Sequence, residues 1–271
     1  MTVYLHKQSF FCRMQKFFLE VLIKNMYIQP IQTNKYKTNN ITFNKWRREV
    51  LVEHSKKIQH RNDTWFFRDS EFWAKLNHYL VQKYKDTPKV NVYCYGCSDG
   101  SEPLTFLMQM LSIHKDDAYK FLPIIAKDYD PVAINKACTN NQYSLIKNEI
   151  EDIDYYTDGN FKTLFEQTDN GYYTIKSEIK NNIKFSVKNL LNDYKNIEPK
   201  NSVILARNFW PYIDLKSDRQ KLLNNLAKHI DKTSMLVIGD YDIFGTGGEF
   251  EYQLSKAGFM RTKSKYIYEL R

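Results

Sequence analysis

No stretch of the 271 residues approaches the run of about eighteen uncharged apolar side chains that a membrane helix needs, so no membrane span is expected. Cysteine is scarce: Cys12, Cys94, Cys97 and Cys138 are the only four, too few for a disulfide scaffold in a chain this long, and they fit a reducing cytoplasm. Met1 to Tyr27 is interrupted by His6, Lys7, Arg13, Lys16, Glu20 and Lys24, with no cleavage site after an unbroken apolar core, so no secretory signal is expected and a cytoplasmic protein is. The phosphate-cradling patterns G-x-G-x-x-G and G-x-x-x-x-G-K-S/T are absent, which disfavours a dinucleotide or a nucleoside triphosphate. So is the G-x-S-x-G elbow, which leaves hydrolase chemistry unsupported. His6, His54, His60, His78, His114 and His229 join no cluster of cysteines or carboxylates, and the Cys94-x-x-Cys97 pair lacks a second ligand pair, so no metal is expected.

What is present is a core and a localised charge. Hydrophobic residues make up 42% and aromatics 15%, which excludes a wholly disordered chain. The net charge of +9 resides in residues 1–61, where twelve Lys and Arg face three acids; the remaining 28 basic and 28 acidic residues cancel. Two regions with different tasks follow. Residues 1–61 read as a short basic helical segment: an amphipathic helix carrying Phe10, Met14, Phe17, Val21 and Leu22, a polar connection over 28–43, and a basic helix over 44–60. A segment of this sign suits nucleic acid, an anionic membrane or an acidic protein surface.

From residue 62 onward the chain alternates strands and helices. Apolar runs at Val90–Tyr95, Leu122–Ala126, Ile183–Val187, Ser202–Ala206, Met235–Ile238 and Tyr266–Leu270 read as strands. Helices are expected at 72–84, 103–112, 131–139, 216–230 and 249–257, the last ending at Gly258. The pattern predicts an α/β fold, a mostly parallel sheet with helices on both faces. Residues 144–182 break the alternation, and Asp169-Asn170-Gly171 ahead of Tyr172 and Tyr173 predicts a small β-hairpin insertion.

In open α/β sheets ligands bind at the carboxyl ends of the strands. Four strand ends carry polar groups. Gly96-Cys97-Ser98-Asp99-Gly100-Ser101-Glu102-Pro103 follows the first strand, and its reading lies between an ordinary tight turn and a loop that lets a ligand approach the backbone. Glu102 suits a cationic group. Asp128 ends the second strand, where a carboxylate accepts from ribose hydroxyls. Asn189 and Arg207-Asn208 end later strands. Together they suit a ligand with an adenosine-like half and no phosphate.

These blocks, in this order, resemble the CheR family of chemotaxis receptor methyltransferases. Asn62-Asp63-Thr64-Trp65-Phe66-Phe67-Arg68-Asp69 is similar to the family's N-x-T-x-F-F-R-D/E, Gly96–Pro103 to its G-C-S-x-G-E-E-P loop, Asn189-Leu190-Leu191 to its N-L-L, and Ala206–Ile213 to its C-R-N-x-x-x-Y-F. Ser101, Leu104, Ala206 and Ile213 depart from the pattern, at positions with no assigned role.

The resemblance implies a Rossmann-like class I methyltransferase domain over 62–271, with 144–182 inserted, that binds S-adenosylmethionine and releases S-adenosylhomocysteine. It implies that Asn62, Thr64 and Arg68 hold the methionine end and that Glu102 meets its amino group. Asp128 would take the ribose, and Asn189 and Leu190 the adenine. Gly96, Arg207 and Asn208 complete the cofactor set, while Arg68 and Tyr212 serve the transfer. The implied activity is esterification of glutamate side chains on an acidic protein, such as the cytoplasmic helices of a chemoreceptor. The basic segment would meet that partner, and nucleic acid is not expected. A methyltransferase of the same fold with another substrate, or a non-catalytic S-adenosylmethionine-binding module, are the alternatives.

Overall fold

The apolar run Asn91–Tyr95 becomes β1, an interior strand of a seven-stranded sheet. The computed structural model describes residues 64–139 and 142–271; the helices expected within 1–61, the boundary at residue 61 and Asn62 lie outside the described residues. The other sheet strands are β2 (Ile124–Asp128), β5 (Ile183–Val187), β6 (Ser202–Leu205), β7 (Met235–Val237), β8 (Phe259–Arg261) and β9 (Ile267–Leu270), in the spatial order β5-β2-β1-β6-β7-β9-β8. The first five run parallel, and β9 lies antiparallel between β7 and β8. This is a doubly wound, Rossmann-like order. The chain moves outward from β1 through β2 to β5, then returns past β1 to β6, so a topological switch point falls between β1 and β6.

Alternation along the strands sends side chains to two cores. Val92, Cys94, Ala126, Val203, Leu205 and Val237 face one side, against helices α1 (Ser70–Lys83) and α2 (Ser101–Ile113). Helix α3 (Pro131–Cys138) adds Ile134 to this core, and Asp130 caps it by accepting from Val132 N at 2.8 Å. Tyr93, Tyr95, Ile204 and Leu236 face the other side, against α5 (Lys216–His229) and α6 (Glu249–Lys256). The period of two in the strands and the helical spacing of Trp73, Leu76 and Leu80 in α1 thus produce a three-layer sandwich.

The insertion holds a helix α4 (Lys147–Tyr156) and a hairpin of β3 (Phe165–Gln167) with β4 (Tyr173–Ile175), whose connection carries the expected Asn170-Gly171 turn. It packs against the segment leading into α1. The Phe66 ring meets Tyr143 at 4.7 Å and Phe165 at 5.4 Å, Phe67 stacks on Tyr156, and Glu149 accepts from Phe66 N at 2.9 Å.

Candidate functional site at the sheet's carboxyl edge

The loop after β1 turns through left-handed backbone at Gly96, Ser98 and Gly100, with φ of 72°, 51° and 91°. At Gly96 a side chain would be strained by that φ and would also press on the Phe209 side chain, 3.2 Å from a Cβ. The loop is tied to β2 twice. The Lys127 carbonyl accepts from Gly96 N at 2.9 Å, and Asp128 Oδ2 accepts from Ser98 N at 2.8 Å while its Oδ1 accepts from Asp130 N. Asp128 therefore fixes the loop.

Glu102, in the first turn of α2, reaches a buried charged cluster. Arg207, in the loop after β6, donates to Glu102 Oε2 at 3.2 Å and to Asp69 Oδ2 at 2.8 Å, its side chain wholly buried. Its guanidinium lies over the rings of Phe72 and Trp73, 4.8 and 4.6 Å from their centroids. The Cys94 thiol points at the other Glu102 oxygen, Oε1, at 3.7 Å. Burial pushes the Glu102 carboxyl above its ordinary value, while Arg207 and Arg68 pull it down. Arg68 sits over the Trp65 ring at 4.8 Å, and its carbonyl accepts from Trp73 Nε1 at 2.8 Å. Thr64, half-buried, opens the same segment, which turns sharply at Phe67 and Asp69, φ 54° and 61°. Thr105 Oγ1 holds it by accepting from Phe67 N at 3.0 Å.

On the far side of β2, Asn189 caps the single helical turn Leu190–Asp193 by accepting from Leu191 N at 2.9 Å, and Leu190 is buried beneath it. An open recess of about 370 Å³ runs between Tyr129, Val187, Asn189 and Asn192. Its floor includes Asp193, whose Oδ2 receives Lys127 Nζ at 2.5 Å and Tyr95 OH at 2.6 Å.

The sequence places Arg207 and Asn208 in the cofactor set, but the structure gives both side chains protein partners. Arg207 serves the two carboxylates. The Asn208 amide accepts from Tyr241 N at 3.2 Å and fills the space where a Gly239 side chain would collide with it. Both loops are clasped by Asp242, fully buried, which accepts from Asn208 N and Gly239 N at 2.7 Å and Trp210 N at 3.0 Å. Burial lifts its carboxyl to about 7 against the pull of those three N–H groups. Tyr212 stands at the rim, 68% exposed, its ring 6.1 Å from Tyr241's.

The structure thus gathers Arg68, Glu102 and Arg207 at the mouth of the switch point. Gly96 and Asp128 form one wall, with Asn189 and Leu190 beyond them. The sequence does not single out Asp69, Lys127, Asp193 and Asp242, which the structure ties to the same loops. Asp69 has a signal, since it closes the first motif; the others look like ordinary strand and loop residues.

The donor set fits a ligand with an ammonium for Glu102 and vicinal hydroxyls for Asp128. Ser98 Oγ and Arg207 Nε are buried beside this loop without a hydrogen-bond partner. Among the described residues no group of three or more His, Cys, Asp or Glu stands where a metal ion would be held, and no helix is long and apolar enough to cross a membrane.

The chain is similar to known proteins. The family described as "CheR methyltransferase, SAM binding domain" matches residues 62–257. A chemotaxis protein methyltransferase of Borreliella burgdorferi is 26% identical over 209 residues, 74% of this chain and 71% of the relative. Among solved structures, magnesium protoporphyrin IX methyltransferase from Synechocystis with bound SAM is 12% identical, covering 86% of this chain and 84% of that one at a TM-score of 0.36. The N-methyltransferase NodS from Bradyrhizobium japonicum is 12% identical, covering 75% and 99% at a TM-score of 0.37.

Proposed function

The chain belongs to the CheR methyltransferase family, with S-adenosylmethionine as its cofactor, and on that footing we propose that it methylates glutamate side-chain carboxylates of a protein substrate of the chemoreceptor type. The name of the Borreliella burgdorferi relative supports a chemotactic setting. The observation that carries the reading is the Glu102–Arg207–Asp69 cluster beside Arg68, a site built to hold a charged amino-acid end and to orient an anion.

When bound, S-adenosylmethionine supplies an electrophilic methyl on its sulfonium sulfur. Glu102 accepts from the ammonium of the cofactor's amino-acid end, held for that task by Arg207 and the Cys94 thiol. Asp128 keeps lone pairs for the ribose hydroxyls beyond the two backbone N–H groups it already receives. Asn189 and Leu190 border the adenine. A substrate carboxylate is ionised at neutral pH, its ordinary value being about 4.3, so it attacks without a general base. This accords with a site that holds no histidine–acid pair. Catalysis then rests on alignment, which supplies as much as about 7–11 kcal/mol when reacting atoms are held at attack distance. Arg68 orients the incoming carboxylate, and Tyr212 borders the methyl passage.

In this reading residues 62–271 are the catalytic domain, working in the cytoplasm, and the +9 of residues 1–61 meets an acidic partner. Incubation with methyl-labelled S-adenosylmethionine and a chemoreceptor cytoplasmic fragment tests it. Label on the fragment that mild base releases is the expected result. Label that survives base, or that appears only on small molecules, overturns it.

A further inference from the structure

The buried Lys127–Asp193 pair lies outside every motif named above. Lys127 Nζ donates to Asp193 Oδ2 at 2.5 Å, with the two side chains 9% and 4% exposed. Tyr95 OH donates to the same oxygen at 2.6 Å, and Asn196 Nδ2 to the other at 2.8 Å. The ammonium also lies 5.6 and 5.3 Å from the ring centroids of Tyr93 and Tyr95. Taking two charges out of water is costly, and a buried pair is weak evidence for stability. Its geometry points elsewhere.

Lys127 works in two directions. Its carbonyl receives Gly96 N and Cys97 N, which anchors the glycine loop. Its ammonium grips Asp193, the last residue of the turn that Asn189 caps and part of the floor of the recess. One residue of β2 therefore spaces the glycine loop on one side against the Asn189–Asp193 turn on the other. Asp128, next in sequence, sits between them.

We propose that Lys127 and Asp193 are positioning residues that set the width of the nucleoside end of the cofactor site. This rests on the reading of that site as the S-adenosylmethionine pocket. The pair does not touch the methionine end, where Glu102 and Arg207 act. Loss of the pair should therefore weaken every ligand that carries the nucleoside, by the same factor whether or not the amino-acid end is present.

The test is calorimetric titration of the full chain with S-adenosylhomocysteine and with 5′-methylthioadenosine, which lacks the amino-acid end. Removing one charge alone strands the other in the interior, so the main variant is the neutral double K127M/D193N. It is expected to weaken both ligands by about tenfold, equally, with a melting temperature close to the parent's. E102Q is the comparator, and it should weaken S-adenosylhomocysteine while leaving 5′-methylthioadenosine unchanged. Y95F and N196A each remove one hydrogen bond to Asp193 without stranding a charge, and each should weaken both ligands by about two- to fivefold. Unchanged affinity in a folded K127M/D193N overturns the proposal, and so does loss confined to S-adenosylhomocysteine. If the double variant does not fold, unchanged affinity in Y95F and N196A overturns it. Absence of any binding to the parent chain overturns the pocket reading itself, a different result from a parent that binds and variants that bind as well.

Discussion

Arg207 donates to Glu102 across 3.2 Å from a guanidinium that solvent does not reach, and its other arm holds Asp69 at 2.8 Å. The loop after β6, the start of α2 and the segment before α1 therefore meet at one cation. Replacing Arg207 by methionine strands Glu102 against the core, and a cost of about 3 kcal/mol or more is expected in urea unfolding. E102Q keeps the shape and removes the charge. It should leave the melting temperature within a few degrees while weakening S-adenosylhomocysteine by about tenfold or more in calorimetry, because the ammonium loses its counter-ion.

Thr105 fixes the motif segment from below. Its hydroxyl accepts from Phe67 N at 3.0 Å in a buried setting, next to the left-handed turn at Phe67. T105V keeps the volume and leaves that N–H without a partner, a loss of about 1–3 kcal/mol. Cofactor affinity should fall with it, because the same segment carries Asp69, which holds Arg207 beside Glu102. Equilibrium unfolding and titration on the same preparation check both.

Asp242 gives a pH signature. Burial lifts its carboxyl to about 7, from an ordinary value near 4. Between these values the folded chain holds a proton that the unfolded chain has released, so this group's contribution to stability falls as pH rises through the window. D242N has no such proton. Urea unfolding from about pH 4.5 to 7.5 should show a downward slope in the parent that is shallower in D242N. Equal slopes would contradict the assignment.

Gly239 is the partner of that clasp. A side chain there would collide with the Asn208 amide, which bonds Tyr241 N. G239A should displace Asn208 and disturb the loop that leads to Tyr212. Methyl transfer should drop by about tenfold with S-adenosylhomocysteine affinity nearly unchanged. A rate and an affinity that fall together would place the damage in the pocket instead.

Much of this was legible in the sequence. The sheet strands other than β8 follow from apolar runs, continuous in the fully buried β6 and β7 and interrupted by the exposed Lys184 in β5. The hairpin follows from Asn170-Gly171 and the end of α6 from Gly258, whose φ is 96°. Helix α4 was hidden because four of its ten residues are acidic and only Ile153 is fully buried. Strand β8 has three residues and owes its place to pairing with β9 rather than to its own pattern. The site divides in the same way. Glu102 announces itself in the glycine block after β1, and Asp128 and Asn189 at or just past the ends of β2 and β5. Asp193 and Asp242 acquire their roles from partners 66 and 34 residues away, Lys127 and Asn208, and no local pattern encodes such a meeting.

The most direct test of carboxylate methylation at this site is residue-level. A chemoreceptor cytoplasmic fragment incubated with the full chain and S-adenosylmethionine, then mapped by peptide mass spectrometry, should carry methyl esters on glutamate side chains, and R68A should abolish them while still binding S-adenosylhomocysteine. Methyl groups found only on nitrogen, or esters formed equally well by R68A, would contradict it.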